Sequence, residues 1–178
     1  KINKPIVWTI RDMWPFTGGC HYSMNCRNYI NGCGNCKQLG SNLKLDVSSY
    51  ILWKKKKYVP KNLKVVGISS WLTEEAKKSD LFKTFDCRTI FNCVDTNKFN
   101  CVEKHRVDKK FVINTGKKVV LVGANVLNAF YKGYEYCESL MSYEKAKQYF
   151  FLFFGNLPEE IKGLLLKNNI EYKNFGYI

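Results

Sequence analysis

Four of the eight cysteines, Cys20, Cys26, Cys33 and Cys36, fall in one stretch with the spacing C-x5-C-x6-C-x2-C. Four thiolates suit tetrahedral zinc, and a loop of about 17 residues without an apolar core of its own gains order from such a staple. A four-thiolate site has no open position, so the zinc expected here is structural and no catalytic metal is expected. Reduced thiols with no metal are the competing reading. His21 could replace one ligand, although its place directly after Cys20 makes simultaneous binding awkward. The other four, Cys87, Cys93, Cys101 and Cys137, are scattered, unlike a secreted disulfide framework. Just before the cysteines, Arg11 and Asp12 end an apolar run and lead to Gly18-Gly19. A carboxylate at a strand end accepts from a hydroxyl or orients a neighbouring group, whereas a surface ion pair or a loop-fixing Asx turn is the bland alternative. Far along the chain, Lys132-Gly133 opens a helix, where a lysine and free amides can hold a diphosphate.

The elements that must position these groups follow from patterning. Ile6-Val7-Trp8-Thr9-Ile10 reads as a buried strand whose C-terminal end opens into the Gly-rich turn. Asp46 caps a helix through about Tyr58 that carries Val47, Tyr50, Ile51 and Trp53 before a basic end, and Pro60 stops it. Leu63 to Ile68 reads as a second strand, Ser69-Ser70 as the cap of a helix from about Trp71, and Arg88 to Phe91 as a third strand. The N-terminal amides of the helix after Ser69-Ser70 should point at the same sheet edge as Asp12. Beyond a Lys/Asn-rich stretch, strands are expected at Val119 to Gly123, Tyr149 to Phe154 and from Tyr172 on, with helices ending near Met141 and opening at Pro158-Glu159-Glu160. The aromatic run from Tyr149 to Phe154 reads as core strand. This alternation describes α/β architecture in two Rossmann-like lobes, both incomplete: residues 1–95 with the Cys-rich loop at 20–36, an interlobe linker at 96–117, and a second lobe at 118–178. The chain is therefore expected to be a piece of a larger protein.

A net charge of +14 raises the question of an anionic partner. Only four of the 29 basic residues are arginine, Arg11, Arg27, Arg88 and Arg106, which argues against nucleic acid, since base edges and phosphates are read through the planar guanidinium. A lysine-rich composition decorating solvated faces accounts for much of the charge. Peripheral contact with an anionic membrane surface accounts for the rest, with Lys54-Lys55-Lys56-Lys57 as the densest patch. No apolar run approaches the roughly 20 residues that cross a bilayer, and a cytoplasmic protein, at the inner face of the membrane, is expected.

Trp8-Thr9-Ile10-Arg11-Asp12-Met13-Trp14-Pro15-Phe16-Thr17-Gly18-Gly19-Cys20-His21-Tyr22, the cysteine loop, Ser69-Ser70-Trp71-Leu72, Ile90-Phe91-Asn92-Cys93-Val94-Asp95-Thr96 with Phe99, and Val122-Gly123 leading to Lys132-Gly133 occur in that order. Together they resemble the family-4 glycosyltransferases, especially the branch that builds bacterial surface polysaccharides such as colanic acid. The resemblance implies a GT-B fold, a nucleotide-sugar donor held mainly by the second lobe, a lipid-linked or saccharide acceptor at the first, and transfer with retention. It implies that Asp12 borders the catalytic cleft with Arg11 beside it, that Gly18 and Gly19 let backbone approach the sugar, and that Lys132 with Gly133 contacts the donor diphosphate. Three positions depart from the family pattern: Arg11 replaces the histidine before aspartate, Cys93 replaces the glycine after asparagine, and Ala124-Asn125 follows the strand ending at Gly123 where many relatives have an arginine paired with the lysine. The chain also stops before the family's paired glutamates, so a truncated or degenerate enzyme is expected. A basic zinc-binding module that contacts nucleic acid and a non-catalytic scaffold are the alternatives.

Overall fold

The computed structural model describes residues 4–101, 115–127 and 129–177. The chain divides into two compact units, Lys1–Phe99 and Asn100–Ile178. Each is mixed α/β and built on a three-stranded, all-parallel sheet.

In the first unit β1 (Ile6–Ile10), β2 (Leu63–Gly67) and β3 (Asp86–Thr89) lie in the order β1-β2-β3. Two helices, α1 (Val47–Tyr58) and α2 (Ser70–Lys78), make the crossovers. Their starts are set by side chains that satisfy the otherwise unpaired first amides. Asp46 Oδ1 accepts from the Ser48 and Ser49 amides at 2.9 and 3.2 Å, and Ser69 Oγ accepts from the Leu72 amide at 3.2 Å. Along β2 the period-two pattern buries Leu63, Val65 and Gly67 while Lys64 points out. A Cβ on Gly67 would stand 2.3 Å from Thr73 Oγ1, so glycine is what lets the start of α2 close against the strand. Ile10, Met13, Phe16, Leu52, Val65, Leu72 and Phe82 form the centre of one apolar core, with Trp8 edge-on to Phe82.

In the second unit β4 (Lys118–Val126), β5 (Tyr149–Asn156) and β6 (Tyr172–Asn174) lie in the order β4-β5-β6, with α3 (Tyr134–Ser142) and α4 (Glu159–Lys167) between them. Met141, Phe151, Phe153, Ile161 and Leu165 make a separate core. The pairing of β4 with β5 shifts register between Gly123 and Val126.

The expected strands and helices occur, with shifted ends. The third strand begins at Asp86 and ends at Thr89. It starts on charge because Asp86 is held by Lys64 of the neighbouring strand at 3.0 Å, and its pairing with β2 runs from Lys64–Asp86 to Gly67–Thr89. Ile90 and Phe91, expected inside it, are exposed. Strand β4 runs past Gly123 to Val126, and β6 stops at Asn174. Of the expected linker, residues 102–114 lie outside the described residues. Among the described residues no helix is long and apolar enough to cross a membrane.

Candidate functional site

Because β1, β2 and β3 are parallel and Ile10, Gly67 and Thr89 pair in register, all three strands end at one edge of the sheet. In open α/β sheets that edge is where ligands meet the chain. Beyond Ile10 the buried residues Met13, Pro15, Phe16 and Thr17 anchor a turn that carries Asp12 on its outer side. Asp12 Oδ1 accepts from the Trp14 amide at 2.8 Å, an Asx turn, and Oδ2 lies 2.9 Å from His21 Nδ1. The Met13 amide donates to the His21 carbonyl at 3.0 Å, so backbone as well as side chain brings residue 21 back beside residue 12. The two make an exposed carboxylate–imidazole pair, with His21 Nε2 turned to neither Asp12 oxygen. Such a pair can orient a hydroxyl and move a proton. Arg11 is exposed beside it. The N-terminus of α2, capped by Ser69, stands at the same edge.

The two turn glycines have different surroundings. Gly18 is buried, and a Cβ there would be 2.3 Å from the Ser48 carbonyl oxygen of α1. Gly19 is exposed, has a φ of +140° and faces open space. Thr17 Oγ1 donates to the Cys20 carbonyl at 2.8 Å and accepts from the Gly19 amide at 3.3 Å. Lys55 reaches from α1 to donate to the Thr17 carbonyl at 3.0 Å and to the Trp14 carbonyl, and its Nζ sits 3.9 Å above the Trp14 ring. Burial draws the Lys55 pKa below its ordinary value, against the pull of Cys33, Asp12 and Cys20.

All four loop cysteines are free thiols. Cys20, Cys26 and Cys36 line one hollow of about 480 Å³, and the Cys33 Sγ accepts from the Gly18 amide at 3.3 Å. Burial pushes the Cys33 thiol up to about 11, the Gly18 amide opposes this, and Cys20, Cys26 and Cys36 add to the rise. Burial likewise raises Cys20, with Cys36 and Cys26 adding to it. Among the described residues no three His, Cys, Asp or Glu side chains are gathered, as placed, tightly enough to grip a metal ion.

In the second unit Lys132 is exposed at the end of the turn Phe130–Lys132, its amide donating to the Ala129 carbonyl at 2.8 Å. Gly133, at a φ of 75°, is the residue before α3, whose first amides have no side-chain cap. Lysine and helix start are thus adjacent. An apolar hollow of about 510 Å³ near the ends of β4 and β5 is bordered by Leu121, Ala124, Asn125 and Phe154.

Two features escaped the sequence reading. The pairing of Asp12 with His21 joins residues nine apart, and its signal is Pro15 followed by Gly18-Gly19, which must fold the chain back. The second feature is an exposed apolar face: Leu39, Leu43, Leu45, Val47, Tyr50 and Trp53 border two adjoining hollows, and Leu45 is 86% exposed. Tyr50 stacks on Trp53 with centroids 5.9 Å apart, Lys54 Nζ lies 5.0 Å from the Tyr50 ring and Lys57 Nζ 5.1 Å from the Trp53 ring.

No family model matches the chain, and no curated protein matches it.

Proposed function

We propose that the chain is part of a two-lobed glycosyltransferase of GT-B type that moves a sugar from a nucleotide-sugar donor to a lipid-linked or saccharide acceptor, with retention. The observation that carries this reading is the Asp12–His21 pair, held at 2.9 Å at the C-terminal edge of a parallel sheet. The ordered motifs from Trp8 to Gly133 support it by resemblance.

On this reading the first unit binds the acceptor. Asp12 accepts from a sugar hydroxyl and fixes the imidazole of His21, which supplies the ring nitrogen that the family places one residue before the aspartate, where this chain has Arg11. The second unit binds the donor: Lys132 and the uncapped first amides of α3 face the diphosphate and stabilise the negative charge that grows on it as the glycosidic bond breaks. The aromatic and basic face around α1 favours an acceptor carried on an anionic membrane surface. Titration calorimetry with uridine- and guanosine-diphosphate sugars tests the donor half. The expected result is saturable binding that Lys132→Ala weakens about tenfold, on the order of the 1.4 kcal/mol of one charge-assisted contact. Absence of binding by any nucleotide sugar, in this chain and in its full reading frame, would overturn the reading.

A further inference from the structure

The glycosyltransferase reading leaves the Cys20–Cys36 loop without a task, and the loop has little apolar core to hold it. Its regular structure is limited to single turns such as Asn28–Ile30, and Tyr29 is its one buried large apolar side chain among the described residues. The backbone is nevertheless sharply specified. Gly32, Cys33, Gly34 and Asn35 have φ values of 106°, 63°, 100° and 46°, four successive left-handed residues of which two are not glycine. Asn enters that region readily, but a residue such as Cys33 seldom does so unless its surroundings impose it.

The imposed shape aims at the sulfurs. Cys33 is held by its amide to the Asn28 carbonyl at 2.8 Å, and Gly34 by its amide to Ser48 Oγ at 3.0 Å. Cys36 donates its amide to Asp46 Oδ2 at 2.9 Å. Three of the four thiols border one hollow, and the fourth already accepts an amide N–H, as a metal-bound thiolate does from its outer shell. A cation is at hand as well: the Lys55 ammonium is near enough to Cys33 and Cys20 to act on both through its charge. Four thiolates around a divalent ion form a dianion, and Lys55 with the Gly18 amide supplies compensating positive charge.

We propose that Cys20, Cys26, Cys33 and Cys36 close around one zinc ion, which ties the Gly18-Gly19 turn to the start of α1. Binding draws the thiols inward from the positions described above. Four S–H bonds break, their protons pass to water, and four Zn–S bonds of about 2.3 Å form; nothing is oxidised or reduced. The proposal does not depend on the glycosyltransferase reading, because its test uses no sugar nucleotide.

The test is metal analysis of the purified chain together with Co²⁺ substitution and mass-spectrometric maleimide mapping. One equivalent of zinc per chain is expected, with the visible spectrum of tetrahedral thiolate-bound Co²⁺ after exchange. With zinc bound, Cys20, Cys26, Cys33 and Cys36 resist maleimide while exposed Cys93 and Cys101 react; chelator opens all four loop thiols at once. The mapping needs no variant, so it holds even if loop variants misfold. Cys26→Ser is expected to weaken Co²⁺ binding at least tenfold and Cys93→Ser to leave it unchanged. Sub-stoichiometric metal, loop thiols that react alike with and without zinc, or a loop recovered as disulfides would each overturn the proposal.

Discussion

Gly18 and Ser48 meet backbone to backbone: a Cβ on Gly18 would lie 2.3 Å from the Ser48 carbonyl oxygen and 2.7 Å from its Cβ. The loop and α1 are therefore docked at a point where no side chain fits. Gly18→Ala is expected to lower the unfolding free energy by about 1–3 kcal/mol, the usual cost of forcing atoms into a packed site. Gly163→Ala, within α4 and with nothing within 4 Å of the added carbon, is expected to raise it by roughly 0.5–1 kcal/mol through helix propensity. Denaturant titration of both variants checks the opposed signs.

If the Asp12–His21 pair performs transfer, the two side chains fail together. Asp12→Asn and His21→Asn are each expected to lower sugar transfer by about 100-fold or more while nucleotide-sugar affinity stays within about twofold. Arg11→Ala, beside the pair but outside its hydrogen bonds, is expected to cost far less. Transfer assays alongside calorimetry separate the two effects, and a donor affinity that collapses in Asp12→Asn would contradict the division of labour.

Acid should loosen the first unit through Asp80. Burial raises the pKa of this carboxyl, but Lys56 of α1 and Lys83 outweigh it and leave the group below its ordinary value. A depressed folded-state pKa means stability that is present above the unfolded value of about 3.9 and is lost as pH falls through the folded one. Asp86, lowered by Lys64 and Arg88, acts in the same direction. Stability measured from pH 7 down to pH 3 is expected to fall below about pH 4, and Asp80→Asn should flatten part of that decline while lowering stability at pH 7.

The face around α1 predicts membrane binding that depends on both its rings and its charges. Sedimentation with phosphatidylserine-containing vesicles is expected to carry the chain down at low salt and release it at high salt. Lys54→Gln and Lys57→Gln are each expected to weaken binding by about 1 kcal/mol, roughly fivefold. Trp53→Ser should weaken it even at high salt, because its contribution is apolar. Equal binding to purely zwitterionic vesicles would refute the role given to the lysines.

Helix starts were legible because they are local: Asp46, Ser69 and Pro158 each precede their helix by one residue and act within a turn. Ends were less so. Asp86-Cys87 reads poorly as strand, and only its pairing with the neighbouring strand, Asp86 opposite Lys64 and Cys87 opposite Val65, makes it one. The outward aim of Val47, Tyr50 and Trp53 was hidden for a similar reason, since α1 buries Ser48 and Leu52 instead and polar Ser48 goes inside to meet Gly34. Asp12 drew notice from its place after a strand, but His21 became its partner only through three-dimensional closure of the turn.

The first core has a consequence for how the chain is made. Its buried members run from Ile10 to Cys87, so all of them are synthesised before Asn100, where the second unit begins. Translation at about 5–20 residues per second leaves several seconds in which the first unit can close while the second is still emerging, and the cysteines at 20–36 meet the cell's metal supply before any residue of the second unit does.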